Sequence, residues 1–426
     1  MSQEKFLVSS DSVQDFIQHI MRSAYLSKLY KSEPENKGMF YHYPAVDFWV
    51  YDSENIKIVC HLTQNGGNNY NYGFNKKTGF TIRYGNTVDD DPEYCPLGPE
   101  ILDLEISVNG CPKVGGHNCK FCYKNNTDQP PTNMDFSTFK TIVDSFPKNL
   151  SQIAFGITGT QTNPDFKTML SYCKQLGIVP NYTLSGADLT DDIIEATKDC
   201  CGAVAVSCYE GNKDLCYNTI DRFHKLAPDI HVNMHIVLSE DTMPHVMDVL
   251  NDLKHVRTVS KQIKCQNKVV FTIDKKVPAD PRLEFLRHIV FLRIKPVGRA
   301  AKLNTKISLD TFRKVIDFCT ENGIGYGFDS CSAPDVEQVL KDMGKPELIT
   351  CIEACESSRL SSYINVKGEY WHCSFAERDP RVNSVKVTDY KVATTWWNSD
   401  AMNQFRKHMN LKNGIHCPMF DLTAHV

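Results

Sequence analysis

The sequence has no apolar run close to the ~18 residues that a membrane-spanning helix requires. Its first residues, MSQEKFLVSSDSVQDF, lack the basic and then apolar layout of a secretory signal peptide. The formal net charge is only -4, so no global basic field draws the chain onto nucleic acid. These absences disfavour a membrane protein, a secreted protein and a nucleic-acid-binding protein, and they predict a cytoplasmic globular protein.

Cysteine, by contrast, is abundant, with 17 residues among 426. Thiols stay reduced in the cytoplasm, so this number does not indicate disulfides. Metal ligation is the first functional hypothesis, against the alternative that most of these cysteines are small core residues. Cys319 falls in register with the apolar residues of a predicted helix from Leu309 to Glu321, which indicates a core position. The same interpretation applies to Cys200, Cys201 and Cys208.

From Ile101 onward, short apolar strands alternate with amphipathic helices, the pattern of a parallel sheet built from βα units. The strand candidates are, in order, ILDLEIS, SQIAFGI, IVPNYTL, GAVAVS, IHVNMHIVL and IVFLRIKP. Helices fit between them at 165–174, 190–200 and 243–253. We therefore expect an α/β protein with a partial (β/α)6 barrel of the TIM type, in which the loops after the strands carry the chemistry.

The chain divides into three predicted parts, with an N-terminal α+β cap over 1–99, the barrel over 100–323 and a cysteine-bearing domain over 324–426. In the cap, a helix with its N-cap at Ser12 precedes the strand-like runs VDFWVYD, NIKIVCHL and GFTIRYG, and NGGNNYNYGFN is a predicted loop. Two roles are open for the cap. Its sheet edge receives a peptide strand, or it is a lid over the barrel without a partner of its own.

Three cysteines stand close together in the loop after the first barrel strand, NGCPKVGGHNCKFCYK. The thiolates of Cys111, Cys119 and Cys122 can hold three irons of a [4Fe–4S] cube and leave the fourth iron open. Zinc is the alternative, because His117 would complete a Cys3His site. The position of the loop at a strand end favours the open cluster.

The stretch CKFCY, with Phe121 before Cys122, resembles the end of the radical S-adenosylmethionine signature. Three further stretches are similar to motifs of that family and follow in the same order: IAFGITGTQTNPDF, YTLSGADLTDD and IKPVGRA. The resemblance covers about three-quarters of the chain, from Glu100 onward. Two departures are visible. The cysteine spacing is Cys-x7-Cys-x2-Cys where the family has Cys-x3-Cys-x2-Cys, and the family's Gly-Gly-Glu reads Gly159-Thr160-Gln161.

This resemblance implies a radical S-adenosylmethionine enzyme, of an oxidoreductase or peptide-modifying type, served by an electron donor such as flavodoxin or ferredoxin. The cofactor would bind at the open iron of the [4Fe–4S] cluster and be cleaved reductively to a 5′-deoxyadenosyl radical, which abstracts a substrate hydrogen. Gln161 would offer an amide oxygen to the methionine ammonium in place of a carboxylate. The implied contacts are Phe121 and Tyr123 near the adenine, Gly159, Thr160 and Gln161 at the methionine end, and Ser185 and Ser207 near the ribose. For Ser207 the alternative is a strand-end serine bonded only to the backbone.

A second set of cysteines lies near the C-terminus, where no apolar periodicity explains them as core residues. Cys355 and Cys373 are separated by 12 residues, Gly368 and 4 more residues, which resembles the opening of the SPASM and twitch domains that follow many barrels of this family. The dense cysteine run of a full SPASM domain is absent, so we expect a twitch-like domain with one auxiliary [4Fe–4S] cluster. The candidate ligands are Cys355 and Cys373 first, then Cys331 and Cys417, with Cys351 as a competitor.

Three functions remain open from the sequence. In the first, the radical enzyme cross-links or oxidises a peptide or protein, as auxiliary-cluster members of the family do. In the second, the same chemistry acts on a small molecule or nucleotide. In the third, the chain is a zinc-structured binding protein. No general base is identified, and His235 and Asp329 are candidates by position only.

Overall fold

The structure is a computed structural model that describes residues 10–33, 37–62, 70–87, 90, 92–113, 118–265 and 268–410. Two ligand candidates from the sequence, His117 and Cys417, lie outside these described residues. No helix in the described ranges is long and apolar enough to cross a membrane.

The N-terminal part is an antiparallel sheet backed by two helices, and so is α+β as predicted. The sheet order follows the chain order. The elements are α1 (Ser10–Arg22), α2 (Ala24–Lys31), β1 (Met39–Tyr43), β2 (Phe48–Asp52), β3 (Ile56–His61), β4 (Asn71–Asn75) and β5 (Thr81–Tyr84). The sequence predicted one helix here, but the structure has two, α1 and α2. They are separate because Ser23 leaves the helical conformation and its hydroxyl caps α2 by accepting a hydrogen bond from Leu26 N at 3.1 Å. The loop prediction for NGGNNYNYGFN is wrong at its end, where the buried rings of Tyr72 and Phe74 hold strand β4 in the sheet.

The rest of the described chain has fourteen strands: ten form one sheet that helices cover, and β7 with β8 and β13 with β14 form two separate pairs. The strands are β6 (Ile101–Glu105), β7 (Ser107–Val108), β8 (Thr132–Asn133), β9 (Gln152–Gly156), β10 (Val179–Leu184), β11 (Ala203–Cys208), β12 (His231–Leu238), β13 (His255–Cys265), β14 (Lys268–Pro278), β15 (Ile289–Arg293), β16 (Tyr326–Phe328), β17 (Ser361–Ile364), β18 (Glu369–Trp371) and β19 (Val385–Lys386). The helices are α3 (Phe136–Asp144), α4 (Phe166–Gln175), α5 (Asp191–Cys200), α6 (Lys213–Leu226), α7 (Met243–Leu253), α8 (Leu309–Asn322), α9 (Ala333–Asp342), α10 (Tyr390–Trp397) and α11 (Asp400–Asn410).

All six predicted barrel strands are present and lie side by side in chain order, as β6, β9, β10, β11, β12 and β15, each parallel to its neighbour. Strand β16 continues this series. In the described part of the chain the sheet stays open, ending at β16 and β19, so the partial barrel is confirmed. The predicted helix starting at Leu309 is α8, and it ends at Gly323 in a left-handed conformation with φ 64°. Cys319 is fully buried in it, as expected.

Two features of the strand arrangement were not predicted. The segment between α7 and β15 forms a two-stranded ribbon, β13 with β14. The C-terminal hairpin of β17 and β18 adds to the barrel sheet itself, because β17 pairs in parallel with β6 from Ser361 to Ile364. The first barrel strand is therefore bonded on both sides, to β9 and to the C-terminal region.

The N-terminal sheet packs against the N-terminal ends of the barrel strands. Lys57 Nζ donates to Leu150 O at 2.6 Å, just before β9, and Lys148 N donates to the Tyr43 hydroxyl at 2.8 Å. Arg83 pairs with Glu100, directly before β6. Parallel strands all run the same way, so the loop that follows β6 lies at the opposite end. The N-terminal sheet therefore covers the end of the barrel away from the cysteine loop, and it does not close over that loop.

Replacing Lys57 by methionine should change how stability depends on pH. Burial lowers the pKa of Lys57 to about 8, only partly offset by Asp52 at 3.7 Å. Above this value the unfolded chain binds more protons than the folded protein, so the lysine contributes more stability as pH rises. Between about pH 7.5 and about pH 9.5, wild-type protein should gain about 2 kcal/mol of unfolding free energy relative to Lys57→Met, measured by urea unfolding. If the unfolding free energies of the two proteins changed equally with pH, this would contradict a buried ammonium with a lowered pKa.

Candidate active site

Hydrogen bonds join the two ends of the cysteine loop where it leaves the barrel. Asn109 and Gly110 both adopt left-handed backbone conformations, with φ 62° and φ 60°, and turn the chain away from the sheet. The Asn109 side-chain oxygen accepts from Thr127 N at 3.0 Å, and Gly110 N donates to Thr127 O at 3.1 Å. These bonds join the two ends of the loop, so the cysteines between them are held at the carboxyl end of β6.

Within the loop, Cys111, Cys119 and Cys122 are all half-buried and close enough to interact electrostatically. Burial raises the pKa of Cys111 to about 11, and the thiolates of Cys119 and Cys122 add to the rise. The Cys111 thiol donates to Thr158 O at 3.3 Å, at the end of β9. The structure thus brings the three predicted cysteines together beside a second strand end.

Arg299, in the segment after β15, binds this loop, a role that no sequence pattern indicated. Its Nε donates to Cys119 O at 2.9 Å, its Nη1 donates to Asn126 O at 2.5 Å, and its backbone N donates to Cys122 O at 3.0 Å. The preceding Gly298 has φ 62°, and a Cβ there would lie 2.2 Å from Tyr123 O. Only glycine allows this approach. The IKPVGRA stretch therefore packs directly on the cysteine loop.

The donor set suits an iron–sulfur cluster. Three soft thiolates are typical cluster ligands, and the Arg299 guanidinium beside them offsets part of the negative charge that a thiolate-bound cluster carries. In the described ranges no three His, Cys, Asp or Glu side chains are arranged to bind one ion in common. A cluster of four irons is larger than one ion and takes cysteines that stand further apart.

The predicted contacts at the methionine end converge on Asp188, in the loop after β10. Gln161 N donates to Asp188 Oδ2 at 2.9 Å, and Thr160 Oγ1 donates to Asp188 O at 2.9 Å. A Cβ on Gly159 would lie 2.4 Å from Asp188 Oδ2 and 2.9 Å from Pro112 Cδ, so the glycine stretch touches the cysteine loop as well. The side chain of Gln161 is exposed and donates to Thr190 Oγ1 at 3.1 Å.

The other predicted cofactor contacts are less closely grouped. The ring of Phe121 lies 5.1 Å from the ring of Tyr209, whose phenol lies near all three loop cysteines. No sequence motif pointed to Tyr209. Tyr123 instead faces the C-terminal domain, with its ring 4.7 Å from Phe375. Ser207 is buried beside Tyr209, at the end of β11. Ser185 Oγ accepts a long hydrogen bond from Ala187 N in its own turn.

The inner face of the barrel is polar and partly open. Residues alternate between buried and half-exposed along β10 and β12, and Thr183 Oγ1 on β10 lies 3.4 Å from His235 Nδ1 on β12. These strands are separated by β11, so the contact shows that the sheet curves around this face. Ala205 lies on β11 between them, and its small side chain leaves room for the contact. The polar residues of this face are Asp103, Asn181, Thr183, Asn233 and His235.

The two general-base candidates differ in their surroundings. Enclosure in the barrel lowers the pKa of His235 to about 4, so the imidazole is neutral at pH 7. Asp329 is engaged by three donors: Lys295 Nζ, Ser332 Oγ at 2.7 Å and Arg293 N at 3.2 Å. The inner face therefore offers a neutral imidazole, while the Asp329 carboxylate is tied into an ion pair.

Among the C-terminal cysteines, Cys355 and Cys373 pack on one small cluster with Ala376, Phe405 and Met409. Cys331 follows β16 and contacts the buried Lys295. Cys351 is exposed and lines a cavity of about 290 Å³ next to Phe328 and Asp329. Cys355 and Cys373 thus share one packing cluster within the described residues.

Lys124 joins the cysteine loop to this domain. Its ammonium is buried, 2.9 Å from Glu105 Oε1 at the end of β6, and it also pairs with Glu377 and donates to the Tyr363 hydroxyl. Burial raises the pKa of Glu105, which Lys124 opposes. Burial also acts to raise the pKa of Glu377, but Lys124 and neighbouring hydrogen bonds outweigh it, so the pKa of Glu377 is lowered. Lys124, at the end of the loop stretch, therefore compensates the buried carboxylate of Glu105 and the partly buried carboxylate of Glu377.

The fold is similar to solved structures of Streptococcus suis SuiB. SuiB bound to precursor peptide SuiA is 11% identical, with 73% of this chain and 67% of that chain covered and a TM-score of 0.54. The SuiB structure described without a ligand is 11% identical, with 73% and 68% covered and a TM-score of 0.53. SuiB bound to S-adenosylmethionine is 12% identical, with 73% and 66% covered and a TM-score of 0.49.

No family model matches the chain, and no curated protein matches its sequence. At 11% identity the likeness to SuiB concerns the fold, and it agrees with the strand order and the partial barrel described above. The chain therefore has a mixed α/β fold with a partial barrel, similar to the fold of SuiB, as its strand pattern predicted.

Proposed function

We propose that this chain is a radical S-adenosylmethionine enzyme that abstracts hydrogen from a peptide or protein substrate. The observation that carries the proposal is the meeting of Cys111, Cys119 and Cys122 at the carboxyl end of a parallel sheet, beside the glycine stretch after β9. In α/β barrels this end carries the chemistry. The SuiB fold and the motif order support the same assignment.

In this proposal the three thiolates hold a [4Fe–4S] cluster, which supplies the electron for reductive cleavage of S-adenosylmethionine when both are bound. The residues of the chain bind and orient. Asn109 and Arg299 hold the loop backbone on either side of the cysteines. The stretch from Gly159 to Gln161 lies next to Pro112, where the methionine end of the cofactor would lie.

The substrate would bind along the polar inner face of the barrel. Amide and imidazole groups of Asn181, Asn233 and His235 can pair with the N–H and C=O groups of a peptide backbone. Asn233 Oδ1 is buried without a hydrogen-bond partner in the described part of the chain, so it has an unused acceptor. SuiB is described bound to a precursor peptide, which favours a peptide over a small molecule as the substrate here. Cross-linking and oxidation of side chains are the reactions we propose.

We also propose one auxiliary [4Fe–4S] cluster in the C-terminal domain. Cys355 and Cys373 share one apolar cluster, which supports them as two ligands. Cys331 and Cys417 complete the proposed set, whereas the exposed Cys351 lines a separate cavity. A closed set of four cysteines suits electron relay. An external donor such as flavodoxin or ferredoxin would reduce the protein in the cytoplasm.

Anaerobic purification and reconstitution test these proposals together. We expect a brown protein with about eight irons per chain, because each [4Fe–4S] cluster holds four. With dithionite and S-adenosylmethionine it should release 5′-deoxyadenosine, measured by chromatography. About four irons would remove the auxiliary cluster from the proposal and leave the radical chemistry standing. A colourless protein that binds zinc and forms no 5′-deoxyadenosine would contradict the proposed function.

A further inference from the structure

The glycine stretch after β9 lacks the carboxylate that the Gly-Gly-Glu motif of the family carries. Its third residue is Gln161, whose exposed side chain donates its amide N–H to Thr190 Oγ1 at 3.1 Å. A neutral amide also pairs more weakly with a cation than a carboxylate does. A cationic group bound at this place therefore needs another anionic partner.

Asp188 presents such a partner from the neighbouring loop. Its Oδ2 accepts from Gln161 N at 2.9 Å, which fixes the orientation of the carboxylate. Its Oδ1 is buried and has no hydrogen-bond partner within the described residues. A buried carboxylate oxygen is costly to leave unpaired, so an unpaired one indicates a missing donor.

The surroundings of Asp188 show where that donor would come from. A Cβ on Gly159 would lie 2.4 Å from Asp188 Oδ2 and 2.9 Å from Pro112 Cδ, so the absence of a side chain at Gly159 keeps this approach free. Pro112 follows Cys111, and the Asp188 carboxylate interacts electrostatically with the Cys111 thiol. The Asp188 carboxylate therefore lies next to the glycine stretch and interacts with a proposed cluster ligand, and one of its two oxygens is unpaired.

We propose that Asp188 binds the ammonium group of S-adenosylmethionine and so replaces the glutamate of the family motif with a carboxylate from the next strand end. This inference rests on the proposed function. The ammonium would donate to Asp188 Oδ1 while Gln161 N continues to donate to Oδ2. Asp188 then strengthens the binding of ligands that carry the amino group. It does not affect the binding of the adenosine part.

Binding of two ligands to anaerobically reconstituted protein tests the inference without any turnover. The ligands are S-adenosylmethionine and 5′-methylthioadenosine, which has the adenosine and the thioether but no amino acid group. In Asp188→Asn, the Kd for S-adenosylmethionine should rise on the order of 10- to 100-fold, the loss expected for a charge-assisted hydrogen bond. The Kd for 5′-methylthioadenosine should stay within about twofold of wild type. Equilibrium dialysis measures both.

Asp191→Asn is the matched control, because Asp191 is an exposed carboxylate three residues further on that pairs with Arg222 at the surface. It should bind both ligands as wild type does. Unchanged S-adenosylmethionine binding by Asp188→Asn, or equal loss of both ligands, would overturn the inference while the proposed function stands. A larger loss in Gln161→Ala than in Asp188→Asn would also overturn it. Wild-type protein that binds neither ligand would overturn the proposed function and this inference with it.

Discussion

Cys119→Ala should release no more 5′-deoxyadenosine than a reaction without protein. Two remaining thiolates cannot hold three corners of a cluster, so the variant should also lose the iron of that site, about four atoms per chain. The loop backbone should survive the substitution, because Arg299 binds the carbonyl group of Cys119 and leaves its side chain free. Iron analysis and product chromatography on reconstituted protein measure the two effects.

Cys200→Ala is a suitable control, since Cys200 is a half-buried cysteine at the end of α5 that packs against the core away from the loop. It should keep both the iron content and the product of wild type. Equal 5′-deoxyadenosine from Cys119→Ala and wild type would show that the loop is not the radical-generating site. Loss of product in both variants would point to a general effect of cysteine removal.

Lys124→Met should destabilise the protein by about 3 to 5 kcal/mol, the cost of removing one partner from a buried ion pair. Methionine preserves much of the volume but leaves the carboxylates of Glu105 and Glu377 without their cation, in a site where the two side chains are 6% and 20% exposed. Both pKa values should then rise. A carboxyl group with a raised pKa in the folded state binds more protons there, so the variant should lose stability as pH rises above about 4.3. Urea unfolding at about pH 5 and about pH 7.5 measures the difference.

The control is Lys225→Met, which removes an exposed ion pair with Asp221 one helical turn away. Such pairs contribute little, and the change should stay within about 0.5 kcal/mol at both pH values. A loss of similar size in Lys124→Met would mean that solvent already screens the two carboxylates. A large loss that does not depend on pH would indicate packing around Lys124 rather than charge.

Local pattern was enough to predict the barrel. Each of the six strands is a short apolar run, and helices such as α7 coincide with the predicted range because their apolar spacing is regular. The ribbon of β13 and β14 escaped prediction because its long strands carry lysines throughout and lack a clear alternation. The parallel pairing of β17 with β6 was not predicted, because it joins distant parts of the chain and no local signal specifies such a partner.

The site could be predicted as far as its cysteines and its motifs. The three thiols were visible because their spacing is dense, and the structure brings them together. Asp188 lies within a quoted motif, but only the packing against Gly159 reveals that its carboxylate faces the cysteine loop. Arg299 and Lys124 were missed because each acts through contacts with residues far away in sequence. Charged residues of this kind look like ordinary surface residues until the fold is known.

The pairing of β17 with β6 also sets an order of events during synthesis on the ribosome. The chain emerges from the N-terminus at ~5–20 residues per second, and β17 follows β6 by about 260 residues, so roughly 13 to 50 seconds separate them. Throughout this interval the outer edge of β6 is an unpaired strand edge that another chain can join. The ammonium of Lys124 likewise lacks its ion pair with Glu377 until that residue has been synthesised. The nascent chain can therefore pair with another chain at this edge until its C-terminal hairpin arrives, and faster synthesis shortens that interval.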